Sequence, residues 1–283
     1  MSSTTYNPKY FTVTFPQQYV AHVEINRADK MNAFIEEMWI EMRTIFDTLS
    51  TDPMVRTIIL TGAGPKAFTT GLDVKAASQG LLSDNPNSPS TDPARKATHL
   101  RRHITSFQDC ITSISRCEKP VIAAMHGFSL GLAVDIATAA DIRLCAADTK
   151  FAVKEVDIGL AADIGTLSRL PKVVGSFGWV KEVALSARVF GAEEALRVGF
   201  VSGVFGSKDE LLRGALELGG LIAGKSPVAV QGSKEILNWS RDRSVEDGLR
   251  YTSVWNSAAL QTTDVSAALL SGIQKRMPRF EKL

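Results

Sequence analysis

The stretch Val121-Ile122-Ala123-Ala124-Met125-His126-Gly127-Phe128-Ser129-Leu130-Gly131 runs from an aliphatic, strand-like pattern into a glycine-bearing turn, and a helical pattern follows over 130–140. The same order occurs upstream, where residues 55–60 are strand-like and Phe68-Thr69-Thr70-Gly71-Leu72-Asp73 forms a second glycine-bearing turn. Short buried-type runs bounded by glycine and followed by helices make the core α/β. Alternation over 11–15 and 19–25, split by Pro16-Gln17-Gln18, predicts an opening hairpin. Phe34, Met38, Met42, Ile45 and Leu49 recur at helical spacing with Glu36, Glu37 and Glu41 between them, so a helix is expected there, with Asn32 as its cap.

After Phe205-Gly206-Ser207 the strand signals fade, and helical patterns cover 211–223, 228–239, 245–260 and 265–273. The tail therefore reads as a separate helical layer, giving a core over 1–206 and a helical region over 207–283. Residues 83–93, rich in Ser, Asn, Asp and Pro, read as a surface loop.

A chain of 283 residues with 45% apolar and 22% charged residues fills a sizeable core. Its formal charge of +2 and scattered basic residues argue against nucleic-acid binding. Cys110, Cys117 and Cys145 form no Cys-x-x-Cys pair, so neither a disulfide framework nor a zinc site is expected. No run approaches membrane-spanning length, and the first ten residues resemble neither a secretory signal nor a mitochondrial presequence. The final Glu281-Lys282-Leu283 shares Lys-Leu with the peroxisomal address Ser-Lys-Leu but carries an acid in place of the small residue. The expected compartment is the peroxisome, with the mitochondrion as the alternative.

Asp135, Glu155 and Asp163 sit in a segment that is otherwise mostly aliphatic and glycine-rich. Carboxylates among apolar neighbours are costly unless paired, hydrogen-bonded or employed. The bland readings are a helix N-terminus for Asp135, an ion pair with Lys154 for Glu155, and a helix cap before Thr166 for Asp163; Asp141 reads as a turn or cap residue. Gly71-Leu72 and Gly131-Leu132 are turns whose N–H groups can face one bound oxygen, the second at the start of a helix. Neither turn carries the Gly-Lys-Ser/Thr of a nucleotide-triphosphate loop, and no ligand cluster has metal spacing, so no metal or redox cofactor is expected.

Taken together, the ordered motifs resemble the enoyl-CoA hydratase/isomerase (crotonase) superfamily over nearly the whole chain. The resemblance rests on Ile25-Asn26-Arg27 with Lys30-Met31-Asn32-Ala33, on Ala67 through Asp73, on Lys119-Pro120-Val121 through Gly127, on Ala139-Ala140-Asp141-Ile142-Arg143, and on Lys275-Arg276-Met277-Pro278-Arg279-Phe280. It implies a crotonase-like spiral core of repeated strand-turn-helix units with a C-terminal helical oligomerisation layer, and a homotrimer or hexamer. The substrate implied is an acyl-CoA thioester, coenzyme A being part of the substrate rather than a cofactor. Within the superfamily, Val134-Asp135-Ile136 and Val153 through Leu167 are most similar to the Δ3,5-Δ2,4-dienoyl-CoA isomerases, since hydratases usually carry Glu at the first position and a small residue at that of Asp163.

That resemblance implies a β-oxidation isomerase in which Glu155 and Asp163 move protons at opposite ends of a conjugated system, Asp135 supports them, and the Leu72 and Leu132 N–H groups form an oxyanion hole. Substrate-binding positions implied are Arg27, Lys30, Ala33, Thr70, Gly71, Leu72, Asp73, Val74 and Ala133, with Lys75 a further basic candidate. Gly131-Leu132-Ala133 departs from the family's glycine run, so Leu132 requires a permitted φ and is expected to narrow the acyl cavity. The alternatives are a 2-enoyl-CoA hydratase and a non-catalytic acyl-CoA-binding or oligomeric interaction protein.

Overall fold

The computed structural model describes residues 6–79 and 92–283. Along the chain run β1 (Phe11–Gln17), β2 (Val20–Ile25), α1 (Glu36–Thr51), β3 (Thr57–Gly62), β4 (Ala67–Thr69), α2 (Val74–Gln79), α3 (Pro93–Arg116), β5 (Val121–Met125), β6 (Phe128–Leu130), α4 (Leu132–Ala139), β7 (Ile142–Ala146), β8 (Lys150–Ala152), α5 (Thr166–Val173) and α6 (Phe177–Ser186). Then come β9 (Phe190–Gly191), α7 (Ala192–Arg197), β10 (Gly203–Phe205), α8 (Lys208–Ala223), α9 (Pro227–Ser240), α10 (Val245–Ala259) and α11 (Thr263–Ile273). The loop expected over 83–93 lies outside the described residues except for Asp92, whose side chain caps α3, and Pro93, which opens that helix.

The strands form two sheets, ordered β1-β2-β3-β5-β7-β10 and β4-β6-β8-β9. The opening hairpin is antiparallel, and the other pairs of the larger sheet are parallel. β3 then β4, β5 then β6, and β7 then β8 each place one strand in the large sheet and the next in the small one. The chain thus winds as a spiral of repeated units, as expected.

Alternation across the large sheet explains why its strands are apolar throughout. Ile58, Leu60, Val121, Ala123 and Met125 face the main core with α1 and α3, whereas Ile59, Ile122 and Ala124 face a second apolar layer. α8 covers that second layer through Leu211, Ala215, Gly219 and Ala223, spaced by one helical turn and all buried. A Cβ on Gly219 would stand 3.4 Å from Ile59 Cδ1, so the missing side chain permits a close approach. Within the C-terminal helical region, α8 packs directly on the core sheet. Periodicity shows that a helix has an apolar face, but not which surface receives it.

Asn32 is also placed differently from its expected cap role. α1 has Ile35 as its N-cap without a side-chain cap bond, while the buried Asn32 amide donates to Ala63 O (2.9 Å) and Ala67 O (2.8 Å). Its Oδ1 accepts from Arg27 N at 3.0 Å. Burial made a three-way cross-link more valuable than a cap, because a buried amide must satisfy both ends. Under β8, Phe151 packs on Phe190 and Phe200 with ring centroids 5.3 Å away in each case. Each such ring contributes about 1.5–3 kcal/mol through burial, which fixes the strand leading to Glu155.

Candidate active site

β4, β6 and β8 are adjacent and parallel, so their C-terminal ends lie along one edge of the small sheet. The chain leaves these ends as the Gly71 turn, the Gly131 turn and the 3-10 turn Glu155–Ile158. Gly131 N–H donates to Ala152 O at 2.9 Å, which locks the second turn to the third strand. Segments far apart in sequence meet because parallel strands end on the same side.

Gly71 has φ +93 and its turn is held open by Phe34. Phe34 N–H donates to Gly71 O (2.8 Å) and Asp73 N–H donates to Phe34 O (2.9 Å), forming a parallel bridge between Phe34 and Leu72. In that pattern the Leu72 amide points away from Phe34. Gly131 has φ +54 and ψ −114, a conformation unfavourable for other residues, and so carries the backbone demand of the second turn. Leu132 is then the first residue of α4, where an amide has no intrahelical partner. Its side chain is buried in the main core.

Asp135, on α4, is buried at 1% exposure. One of its oxygens accepts from Thr166 N–H (2.6 Å) and from Thr166 Oγ1 (2.8 Å). Asp135 therefore caps the N-terminus of α5, a role that the sequence offered to Asp163; the residue at the N-cap position is Gly165. Burial first, then the Glu155 charge, raise the Asp135 carboxyl to about 7 against the pull of Thr166 and Arg169.

Glu155 is half-buried, and Lys154 does not neutralise it, since Lys154 Nζ pairs with Asp157 at 2.7 Å and donates to Ala187 O. Burial raises the Glu155 carboxyl, and the Asp163 charge pushes in the same direction. Glu155 Oε1 lies 3.6 Å from where a Gly131 Cβ would stand, over the second turn. Among the described residues, Glu155 Oε2 is buried without a hydrogen-bond partner. A carboxyl over the second turn with one buried oxygen left open is placed to exchange a proton with a bound molecule.

Asp163 is exposed and sits in the loop before α5. Gln108 Nε2 donates to Asp163 O, and Arg169 donates to Ile164 O and to Thr112 Oγ1 (2.7 Å). Gln108, Thr112, Thr166 and Arg169 were not singled out from the sequence. For Gln108 and Thr112 the signal is the buried face Phe107, Cys110, Ile111 and Ile114 of α3, which places them beside the loop.

The expected substrate-binding positions fall into distinct groups. Arg27 Nη1 bonds Asp73 (2.9 Å) and Ala33 O (2.8 Å), tying the 27–33 segment to the Gly71 turn, so its guanidinium is already engaged. Lys30 and Val74 are exposed, Thr70 and Leu72 are half-buried, and Ala33 and Ala133 are buried. A cavity of about 190 Å³ between Ala28, Met31, Gly64 and Lys66 adjoins that segment. The larger cavity, about 930 Å³, lies elsewhere, between the Asp141–Arg143 corner and helices α8 and α9, and none of the expected site residues lines it. Burial lowers the His126 imidazole to about 4, and its Nε2 is bonded to Gly64 O at 2.8 Å.

An α/β spiral with two opposed backbone amides beside clustered acids defines a class of protein that receives a polarised oxygen and moves protons next to it. The profile of the Enoyl-CoA hydratase/isomerase family matches residues 16–282, and the chain belongs to that family. It is 45% identical over 271 residues to the mitochondrial Δ3,5-Δ2,4-dienoyl-CoA isomerase of Rattus norvegicus, covering 96% of this chain and 81% of that protein. It is 46% identical over 264 residues to the peroxisomal Δ3,5-Δ2,4-dienoyl-CoA isomerase of Arabidopsis thaliana, covering 93% of each. Among solved structures, the enoyl-CoA hydratase of Bacillus anthracis superposes with a TM-score of 0.86 at 25% identity, over 96% of this chain and 99% of that one.

Proposed function

We propose that this chain is a Δ3,5-Δ2,4-dienoyl-CoA isomerase of fatty-acid β-oxidation. The observation that carries the reading is the clustering of Asp135, Glu155 and Asp163 beside the Gly71 and Gly131 turns, in a chain whose curated relatives bear that activity in their names. The thioester oxygen of a 3,5-dienoyl-CoA accepts from Leu72 N–H and Leu132 N–H. Asp163 removes a proton from C2, leaving an enolate delocalised to C6, and Glu155 returns a proton to C6. The double bonds then stand at 2 and 4, and one proton is lost and one gained. Burial supports Glu155 as the acid, since it favours the protonated form. Each preorganised amide of such a pair is worth about 10²- to 10³-fold in rate.

The 27–33 segment and Lys66 are assigned to the coenzyme A end, with the 190 Å³ cavity at their side. A homotrimer or hexamer accounts for the exposed Leu237, Val245, Leu249 and Ile273 of the last helices, which have apolar surface to bury. The compartment assigned is the peroxisome, as for the Arabidopsis relative, while the rat relative is mitochondrial. No helix among the described residues is long and apolar enough to cross a membrane.

The test is an ultraviolet assay of the purified protein with 3,5-dienoyl-CoA and, separately, 2-enoyl-CoA. Appearance of the conjugated 2,4-dienoyl product, lost in Asp163→Asn, is expected. Hydration of 2-enoyl-CoA without dienoyl product would replace this reading by the hydratase, and silence on both substrates would favour a binding protein. A stable monomer on mass-resolved sizing would remove the oligomer.

A further inference from the structure

We propose that Thr166 is a positioning residue that sets how a proton is divided between Asp135 and Glu155, by drawing Asp135 toward its carboxylate through two donors on one oxygen. The inference rests on the isomerase reading for its consequence, but on geometry for its content. Thr166 is fully buried, and its backbone N–H and hydroxyl reach the same Asp135 oxygen at 2.6 and 2.8 Å. Both bonds favour the ionised form, and the backbone one comes from the first turn of α5, whose amides lack intrahelical partners. The groups facing Asp135 are Thr166 and Arg169 of α5 and Glu155 of the 3-10 turn, with Asp163 acting on Glu155 in turn. Gln108 and Thr112 of α3, which are neutral, stand behind Asp163 and Arg169.

Two nearby carboxyls do not both ionise freely, so whatever draws Asp135 toward its carboxylate makes Glu155, the acid of the proposed reaction, easier to protonate. Burial already raises Asp135 to about 7 against the pull of Thr166. Loss of the hydroxyl donor therefore raises the Asp135 carboxyl further and makes Glu155 harder to protonate. The backbone donor alone is a weaker hold than the pair.

The experiment compares Thr166→Val, which keeps the branched shape, with Thr166→Ser, which keeps the donor. The protonated-carboxyl band of each is titrated by infrared difference spectroscopy and assigned with Asp135→Asn, alongside the pH–rate profile on 3,5-dienoyl-CoA. Valine is expected to raise the Asp135 titration by about 1 to 2 pH units and to move the descending, Glu155 limb of the rate profile to lower pH, while serine leaves both near wild type. Thr166→Ala makes the same comparison if valine prevents folding. An unmoved Asp135 titration in the valine or alanine variant, or an equal shift in serine, overturns the proposal. If no variant and no wild type converts 3,5-dienoyl-CoA, the isomerase reading fails, yet the infrared titration still decides whether Thr166 controls the proton on Asp135.

Discussion

Gly71 lies against Leu132: a Cβ on Gly71 would stand 3.5 Å from the Leu132 amide nitrogen and 3.0 Å from Leu130 O. The two turns therefore share one corner, and Gly71 also holds φ +93, which side chains disfavour. Gly71→Ala is expected to lower kcat by about 10²-fold or more through displacement of the Leu72 and Leu132 amides. Steady-state kinetics with circular dichroism checks this, and an unchanged kcat in a folded variant would separate the turns from the chemistry.

Glu155→Gln and Asp163→Asn are each expected to lower kcat by about 10²- to 10⁴-fold. Asp163→Asn removes the rising limb of the pH–rate profile, which needs an ionised base. Glu155→Gln removes the falling limb, which needs a protonated acid. A bell retained in both variants contradicts the assignment.

Burial makes the contribution of Asp135 to stability depend on pH. Its folded value of about 7 exceeds the ordinary carboxylate value of 3.8, so the native state binds more protons than the unfolded chain between those limits. Stability from this group falls as pH rises through that window. The difference in Tm between Asp135→Asn and wild type is thus expected to move in favour of the variant from pH 5 to pH 8. A difference independent of pH would mean that Asp135 is not shifted.

Lys234 reaches from α9 to Asp141 at 2.7 Å and donates to Lys119 O at 2.9 Å, with the lysine side chain 7% exposed. Asp141 also accepts from Val121 N–H at 2.7 Å, so the pair joins the C-terminal helices to the start of β5. Lys234→Met leaves the acid without its cation and is expected to lower stability by about 3 kcal/mol. Urea unfolding of wild type and variant measures it, and equal midpoints would show that the ion pair holds nothing.

The sequence by itself determined an α/β core of repeated strand-turn-helix units, because buried parallel strands are short apolar runs and the turns after them carry glycine, while the spiral was implied by the family resemblance. Val121–Met125 emerged as β5 with the bounds read from its apolar run, and the opening hairpin appeared although β1 continues to Gln17. The three acids were also legible, since a charge inside an aliphatic segment is conspicuous without any structure.

Only the tertiary structure decided what those acids touch. Local sequence offered Lys154 to Glu155 and a helix cap to Asp163, but Lys154 pairs with Asp157, and the α5 amide is taken by Asp135 from another helix, 31 residues away. Likewise Asn32 cross-links two turns, and α8 covers the sheet. Partners of this kind are chosen by which strands lie side by side, and that proximity carries no signature in the order of residues along the chain. The physical reason is that hydrogen bonds and desolvation act through space at a few ångströms, whereas periodicity and turn chemistry act along the backbone.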